Sequence, residues 1–296
     1  MQKFAAVGVF GRANAGKSTL INAMVGEQVS IVSPKPQTTR KRIMGILTKD
    51  NVQLVFCDTP GLHEIKNRLD AFMHNEILAT LKGLQLGIYV VDLADMKPEK
   101  DQEYLEMMKP DKDFPLLLVL NKTDLVTRDQ IDQAENIYKE FFPFKKTIKI
   151  AARRSRTVKK VLNKLVSMAP SGPHAYDADY YTSLTEREIV EEVIREVALH
   201  NYYQEVPHSV AVVVSQFKER ENGKTFIEAD LFVERDSHKR ILVGKSGNGI
   251  RKLGKESRKR LNALLGRDIF LQLWVKVREN WRRSDDWIKR LGYKKQ

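Results

Sequence analysis

An apolar run from Phe4 to Phe10 leads without interruption into Gly11-Arg12-Ala13-Asn14-Ala15-Gly16-Lys17-Ser18. That spacing, G-x4-G-K-[ST], is a phosphate loop, and it admits few folds: a buried strand must precede it and a helix must follow. The glycines let backbone N–H groups close around an anion, and the helix N-terminus favours negative charge there. Lys17 is expected to reach the β- and γ-phosphates of a nucleotide, and Ser18 to ligate Mg²⁺. Arg12, Ala13, Asn14 and Ala15 form the rest of the loop, and Thr19 follows in the helix. The same continuity argues for a first strand rather than a secretory signal.

Strand and helix signals alternate up to residue 168. Strands are expected at 4–10, 52–57, 86–92, 115–120 and 147–151, apolar on both faces as buried parallel strands are. Helices are expected at 17–25, 66–82, 98–109, 129–141 and 157–168. This is the pattern of an α/β, doubly wound sheet. Ala169-Pro170-Ser171-Gly172-Pro173 marks a boundary. The expected organisation is a phosphate-loop domain over 1–170, a linker over 171–184 and a second domain over 185–296. A chain of 296 residues accommodates two domains.

Two further motifs sit where the strands should end. Asp58-Thr59-Pro60-Gly61 closes the second apolar run. Asp58 is expected to act on Mg²⁺ through water, and the Gly61 N–H to sense a γ-phosphate. Asn121-Lys122-Thr123-Asp124 follows the run at 116–120. A carboxylate can accept hydrogen bonds from both guanine N1–H and the exocyclic amine, whereas adenine offers no such donor pair. Asp124 therefore selects GTP over ATP, with Asn121 and Lys122 bracing the loop and the base. Between the first two motifs, Thr38 or Thr39 could complete the Mg²⁺ shell and make the loop a switch; the residues leave both open.

The second half reads as a smaller α+β domain in the order α-β-β-α-α-β. An acidic amphipathic helix is expected at 185–201 and strands at 209–216 and 225–234, around the hairpin signal Asn222-Gly223. A short helix near 237–243, a glycine loop and a basic helix over 248–265 follow, with Gly266 as its stop and an alternating strand at 269–277. Ile241-Leu242-Val243-Gly244-Lys245-Ser246-Gly247-Asn248-Gly249-Ile250 fits the apolar-G-x-x-G-x-x-apolar pattern of a type II KH fold. Such a loop brings backbone close to the phosphates of single-stranded RNA. Gly244, Ser246 and Gly247 would form it, with Ile250 and Leu253 on the apolar floor or the core behind. Lys245, Arg251, Lys252 and Lys255 would contact phosphates. Trp281 and Trp287 read as packing residues rather than base-stacking ones.

These motifs together resemble the bacterial ribosome-assembly GTPases of the Era family. The resemblance rests on Gly11–Ser18, Gln37-Thr38-Thr39-Arg40, Asp58 to His63 and Asn121 to Leu125 in the first half. In the second it rests on Gln204 to Val212, Leu271 to Val277, Trp281-Arg282-Arg283 and Leu291-Gly292-Tyr293. It implies a GTPase that binds the 3′ end of 16S ribosomal RNA and assists small-subunit maturation, with the GTP state controlling RNA affinity. It implies slow hydrolysis, because Leu62 stands where signalling GTPases carry a water-orienting glutamine. It implies a potassium ion held by Asn14. The family's last guanine loop usually reads Ser-Ala; this chain has Ala151-Ala152, whose second N–H could still reach guanine O6.

Charge and cysteine content narrow the alternatives. The net charge is +13, and the last 58 residues alone hold 18 basic and 5 acidic side chains. The excess therefore lies on the second domain, from just before the glycine loop, which favours an RNA partner there. One cysteine, Cys57, excludes an intrachain disulfide and fits a reducing compartment. The expectation is a cytoplasmic monomer, with any membrane contact peripheral on the inner face. The other readings are an RNA-binding chaperone with a degenerate GTPase, and a membrane-surface regulatory GTPase.

Overall fold

The computed structural model describes the chain except for residues 34, 36, 37, 62–64, 221–223 and 294–296. Gln37, Leu62, His63 and the Asn222-Gly223 turn lie outside the described residues. The chain divides into two compact units, 1–64 with 73–183, and 65–72 with 184–296.

The first unit is built on a six-stranded sheet of β1 (Lys3–Phe10), β2 (Ile43–Lys49), β3 (Val52–Asp58), β4 (Leu86–Asp92), β5 (Leu116–Asn121) and β6 (Lys146–Lys149). The order is β2-β3-β1-β4-β5-β6. All neighbours are parallel except β2, which runs antiparallel to β3. The helices are α1 (Lys17–Val25), α2 (Arg68–Leu81), α3 (Pro98–Met108), α4 (Arg128–Phe141) and α5 (Ser155–Met168). Successive strand residues feed opposite cores. Ile88 and Val90 pack with Val7, Leu20, Val161 and Leu165, while Tyr89 and Val91 pack with Leu105, Leu118 and Ala134. Both faces are covered, so the strands read as unbroken apolar runs. Burying one such Leu, Ile or Val contributes roughly 1.5–3 kcal/mol.

Strand β2 is an element that the sequence did not announce. Its exposed edge also explains a correction to the expected linker. Residues 171–183 belong to the first unit and run along this edge. Ile46 N–H donates to Tyr181 O at 2.9 Å, and Ser183 N–H donates to Met44 O at 3.2 Å. Buried Gln53 accepts from the Ala175 and Tyr176 N–H groups at 2.8 and 3.0 Å. An edge strand offers unpaired backbone groups, and the segment satisfies them.

The second unit holds α6 (Glu186–Asn201), α7 (Val206–Ser209), β7 (Ala211–Glu219), β8 (Thr225–Val233), α8 (Asp236–Val243), α9 (Asn248–Leu265), β9 (Ile269–Val277) and α10 (Asp285–Arg290). The sheet order is β7-β8-β9, with β7 antiparallel and β9 parallel to β8. Helix α6 starts with a capping box between Thr185 and Glu188. Alternate residues of β8 and β9 (Ile227, Ala229, Leu231; Leu271, Leu273, Val275) pack against Val193, Val197, Leu253 and Leu261. Trp281 is fully buried, and its Nε1 donates to Ser209 O at 2.9 Å. It is a packing residue, as expected.

Candidate functional site

Strand β1 lies between β3 and β4, where the order of the sheet reverses. Open α/β sheets place ligands beyond the carboxyl ends of their strands at such a point. The motif residues converge there: Gly11 follows β1, Asp58 ends β3, Asn121 ends β5, and Ala151 follows β6.

The phosphate loop turns through left-handed backbone at Asn14 (φ 64°) and Gly16 (φ 95°). Gly16 has no alternative, because a Cβ there would stand 2.3 Å from Asn121 Nδ2. That amide group donates to Ala15 O at 2.8 Å, and Asn121 Oδ1 accepts from Ala152 N–H at 2.9 Å. Asn121 thus ties the phosphate loop to the loop after β6. Lys17 is buried, and its ammonium donates to the carbonyls of Gly11 and Arg12 at 3.0 Å each. Burial lowers its pKa to about 8, against the opposing pull of Asp58 and Asp101.

Ser18 Oγ donates to Asp58 Oδ2 at 2.8 Å, and Thr39 Oγ1 donates to the same oxygen at 3.1 Å. The two hydroxyls are 3.2 Å apart. Thr38 is not in this group; its hydroxyl donates to Lys35 O at 2.6 Å. Of the two threonines the structure brings Thr39 to Ser18 and Asp58; it is buried, while Thr38 is half-buried. Burial pushes the Asp58 carboxyl up, with Lys17 and the hydroxyls acting against it. Asp58 Oδ1 is buried and, among the described residues, has no partner at hydrogen-bond geometry. Two hydroxyls and a carboxylate with an orphaned oxygen are the hard oxygen donors that suit Mg²⁺.

The side chains of two motif residues are engaged elsewhere. The Arg12 side chain turns away from the loop: its Nε pairs with Asp101 Oδ2 at 3.2 Å, and Nη1 with Asp95 at 3.4 Å. Asp101 also accepts from Tyr89 at 2.8 Å and Tyr138 at 2.6 Å. A guanidinium beside a buried carboxylate forms the better-compensated pair. The Thr59 hydroxyl is likewise committed, donating to Val9 O at 2.8 Å. Only the backbone of these two residues remains with the loops. Sequence reading missed Asp101 and also Asp92, which pairs with Lys122 Nζ. Asp124 is exposed at the same carboxyl edge. Ala13, Thr19, Pro60 and Gly61 lie in or beside the loops as expected, and a Cβ on Gly61 would come 2.6 Å from Ala13 Cα.

In the second unit, α8 ends at Gly244 (φ 70°) and α9 begins after Gly247 (φ 78°). A Cβ at Gly244 would lie 2.8 Å from the Gly249 nitrogen, so glycine lets the two helix ends meet. Lys245 and Ser246 stand exposed at the tip, with Arg251, Lys252 and Lys255 exposed along α9. Arg251 donates to Asn248 at 3.3 Å, and Lys252 lies 3.9 Å from Glu256. Ile250 is half-buried beside the loop; Leu253 is buried and belongs to the core.

Sheet order and edge chemistry define the first unit as a P-loop GTPase, and the second has the architecture of a type II KH domain. Residues 6–122 match the family described as 50S ribosome-binding GTPase, and residues 205–282 match the KH domain family. GTPase Era of Caldanaerobacter subterraneus subsp. tengcongensis is 42% identical over 97% of this chain and 96% of that protein. Two solved structures each superpose with a TM-score of 0.94 over 99% of both chains. One is Aquifex aeolicus Era bound to GDP·AlF₄⁻, 29% identical; the other is Era with MgGDPNP and nucleotides 1506–1542 of 16S ribosomal RNA, 30% identical. The chain belongs to the Era family of GTPases. It is a GTP-binding and GTP-hydrolysing protein with an RNA-binding KH domain.

Proposed function

We propose that this GTPase recognises the 3′ end of 16S ribosomal RNA through its second unit and assists maturation of the small ribosomal subunit. The observation that carries the reading is full-length similarity to an Era protein captured with MgGDPNP and that RNA segment. The basic charge from residue 239 onward supports it, since phosphate contacts dominate affinity for RNA. The 50S in the GTPase family's description pertains to residues 6–122, outside the RNA-binding unit. The test is crosslinking and sequencing of RNA bound in the GTP state: reads concentrated at the 16S 3′ end support the proposal, and reads concentrated on 23S RNA overturn it.

On this reading the Gly11–Ser18 amides and Lys17 hold the β- and γ-phosphates, and the Gly61 N–H faces the γ-phosphate. Ser18 and Thr39 would hold Mg²⁺ with Asp58 acting through water, and the ion would supply charge neutralisation on the phosphate oxygens. Asp124 accepts from the guanine edge, while Asn121 and Lys122 brace its loop together with Ala151 and Ala152. In the structure the Ala152 N–H donates to Asn121, so its part here is to hold the loop rather than guanine O6. Leu62 leaves the attacking water without an orienting side chain, which makes hydrolysis slow. Asn14, at the crest of the loop, is assigned a potassium ion. Faster hydrolysis in K⁺ than Na⁺, lost in Asn14→Ala, supports that assignment; equal rates refute it.

We propose further that the protein is a cytoplasmic monomer, with any membrane contact peripheral on the inner face. Among the described residues no helix is long and apolar enough to cross a membrane. Liposome pull-down against RNA filter binding tests the placement.

A further inference from the structure

In the loop after β6, residue 151 is alanine and carries no hydroxyl of its own. Yet Ala151 and Ala152 are buried, and the backbone of both is held. Ala152 N–H is fixed by Asn121. Ala151 is fixed from the first turn of α5: its N–H donates to Thr157 Oγ1 at 3.2 Å. The same hydroxyl lies 2.8 Å from the carbonyl oxygens of Ala151 and Arg154. One hydroxyl carries one proton and two lone pairs, so it donates to one of these carbonyls while accepting from the amide. The turn is closed further by Arg154 N–H donating to Ala151 O at 2.8 Å. Thr157 therefore holds the Ala151 N–H and offers its one proton to the carbonyl of Ala151 or of Arg154, next to the residue that Asn121 holds.

We propose that Thr157 is the positioning residue of the guanine loop in this chain, its hydroxyl supplying the bracing that Ala151 cannot. This rests on the guanine-site reading above. Thr157 touches no nucleotide; it sets the shape of a loop closing over the base. An ordered loop slows ligand release more than it speeds entry.

The test is release of fluorescent GDP from the full-length protein. Thr157→Val removes the hydroxyl at nearly constant volume, and release should quicken about tenfold, the scale of one or two lost hydrogen bonds. Thr157→Ser should release at the wild-type rate. Adding Ala151→Ser to Thr157→Val should restore most of the loss, a rescue that a purely structural threonine would not show. Unchanged release in Thr157→Val, or no rescue by Ala151→Ser, overturns the proposal. Hydrogen exchange on the wild-type protein gives a measurement independent of that variant's folding: the Ala151 amide should be protected, and free exchange there overturns the proposal. Wild-type preference for GDP over ADP is the control. Without it the guanine-site reading fails; with it, a silent Thr157→Val removes this proposal alone.

Discussion

The Thr39 hydroxyl donates to Asp58 Oδ2 across 3.1 Å, which ties the loop ahead of β2 to the carboxyl end of β3. Thr38, one residue earlier, faces the carbonyl of Lys35. The difference separates two adjacent threonines that the sequence leaves equivalent. A hydrogen bond to a charged group is worth about 1.5–3 kcal/mol. Thr39→Ala should therefore lower kcat/KM for GTP by roughly 10- to 100-fold at limiting Mg²⁺, the kinetic equivalent of that energy. Thr38→Ala should stay within about threefold, since it loses only a local neutral contact. Steady-state GTP turnover across a Mg²⁺ titration reads both; the opposite ranking would return Thr38 to the metal.

Lys17 makes the site pH-dependent. Burial holds its pKa near about 8 in the nucleotide-free protein, and anionic phosphates would raise it. Nucleotide affinity should be flat below pH 8 and fall by up to about tenfold per pH unit above it, as binding takes up a proton. Fold stability moves the other way. Between pH 8 and 10.5 the unfolded chain binds more protons at this lysine, so its contribution to nucleotide-free stability rises with pH. Calorimetry in buffers of different ionisation enthalpy measures the uptake. Zero proton uptake at pH 9 would contradict the assignment.

The Arg12–Asp101 pair predicts a stability effect in a residue of the phosphate loop. Arg12→Ala leaves the Asp101 carboxylate buried without its cation, a change that typically costs about 3–5 kcal/mol. Urea denaturation should show that loss. Replacing both partners by leucine should recover only part of it: the buried charges are exchanged for apolar packing, but the buried Tyr89 and Tyr138 hydroxyls lose their carboxylate acceptor. A loss under about 1 kcal/mol in Arg12→Ala would mean that the pair is solvated in solution.

In the second unit, Lys245→Asp with Ser246→Asp places two negative charges at the exposed loop tip. Ser246 has φ 53°, a conformation aspartate tolerates better than most residues, so the fold should survive. RNA affinity should fall at least about tenfold at moderate salt, and the dependence of log affinity on log salt should flatten. Filter binding at several salt concentrations, with a circular dichroism melt as the folding check, decides it. Unchanged affinity would remove the loop from the RNA interface.

Most of the fold was legible because its signals are local and strong. The Phe4–Phe10 run feeding a glycine loop, the acidic amphipathic helix at 185–201 and the period-two strand at 269–277 are such signals. Strand β2 escaped because Ile43–Lys49 is a glycine-containing edge strand behind three basic residues, and its pairing with β3 is a tertiary fact. The site was legible as motifs but not as side-chain directions. No spacing says that Arg12 leaves the loop for Asp101, 89 residues away, or that Thr157 reaches back six residues to Ala151. Such partners depend on which helices the topology brings beside the loops.

We propose that the nucleotide held by the first unit controls the affinity of the second for RNA. Fluorescence anisotropy of a single-stranded oligonucleotide matching the 16S 3′ end measures it directly, with the full-length protein carrying a GTP analogue, GDP or no nucleotide. The account predicts tightest binding with the GTP analogue and loss of that advantage in Lys17→Ala. Equal affinity in all three states would contradict it.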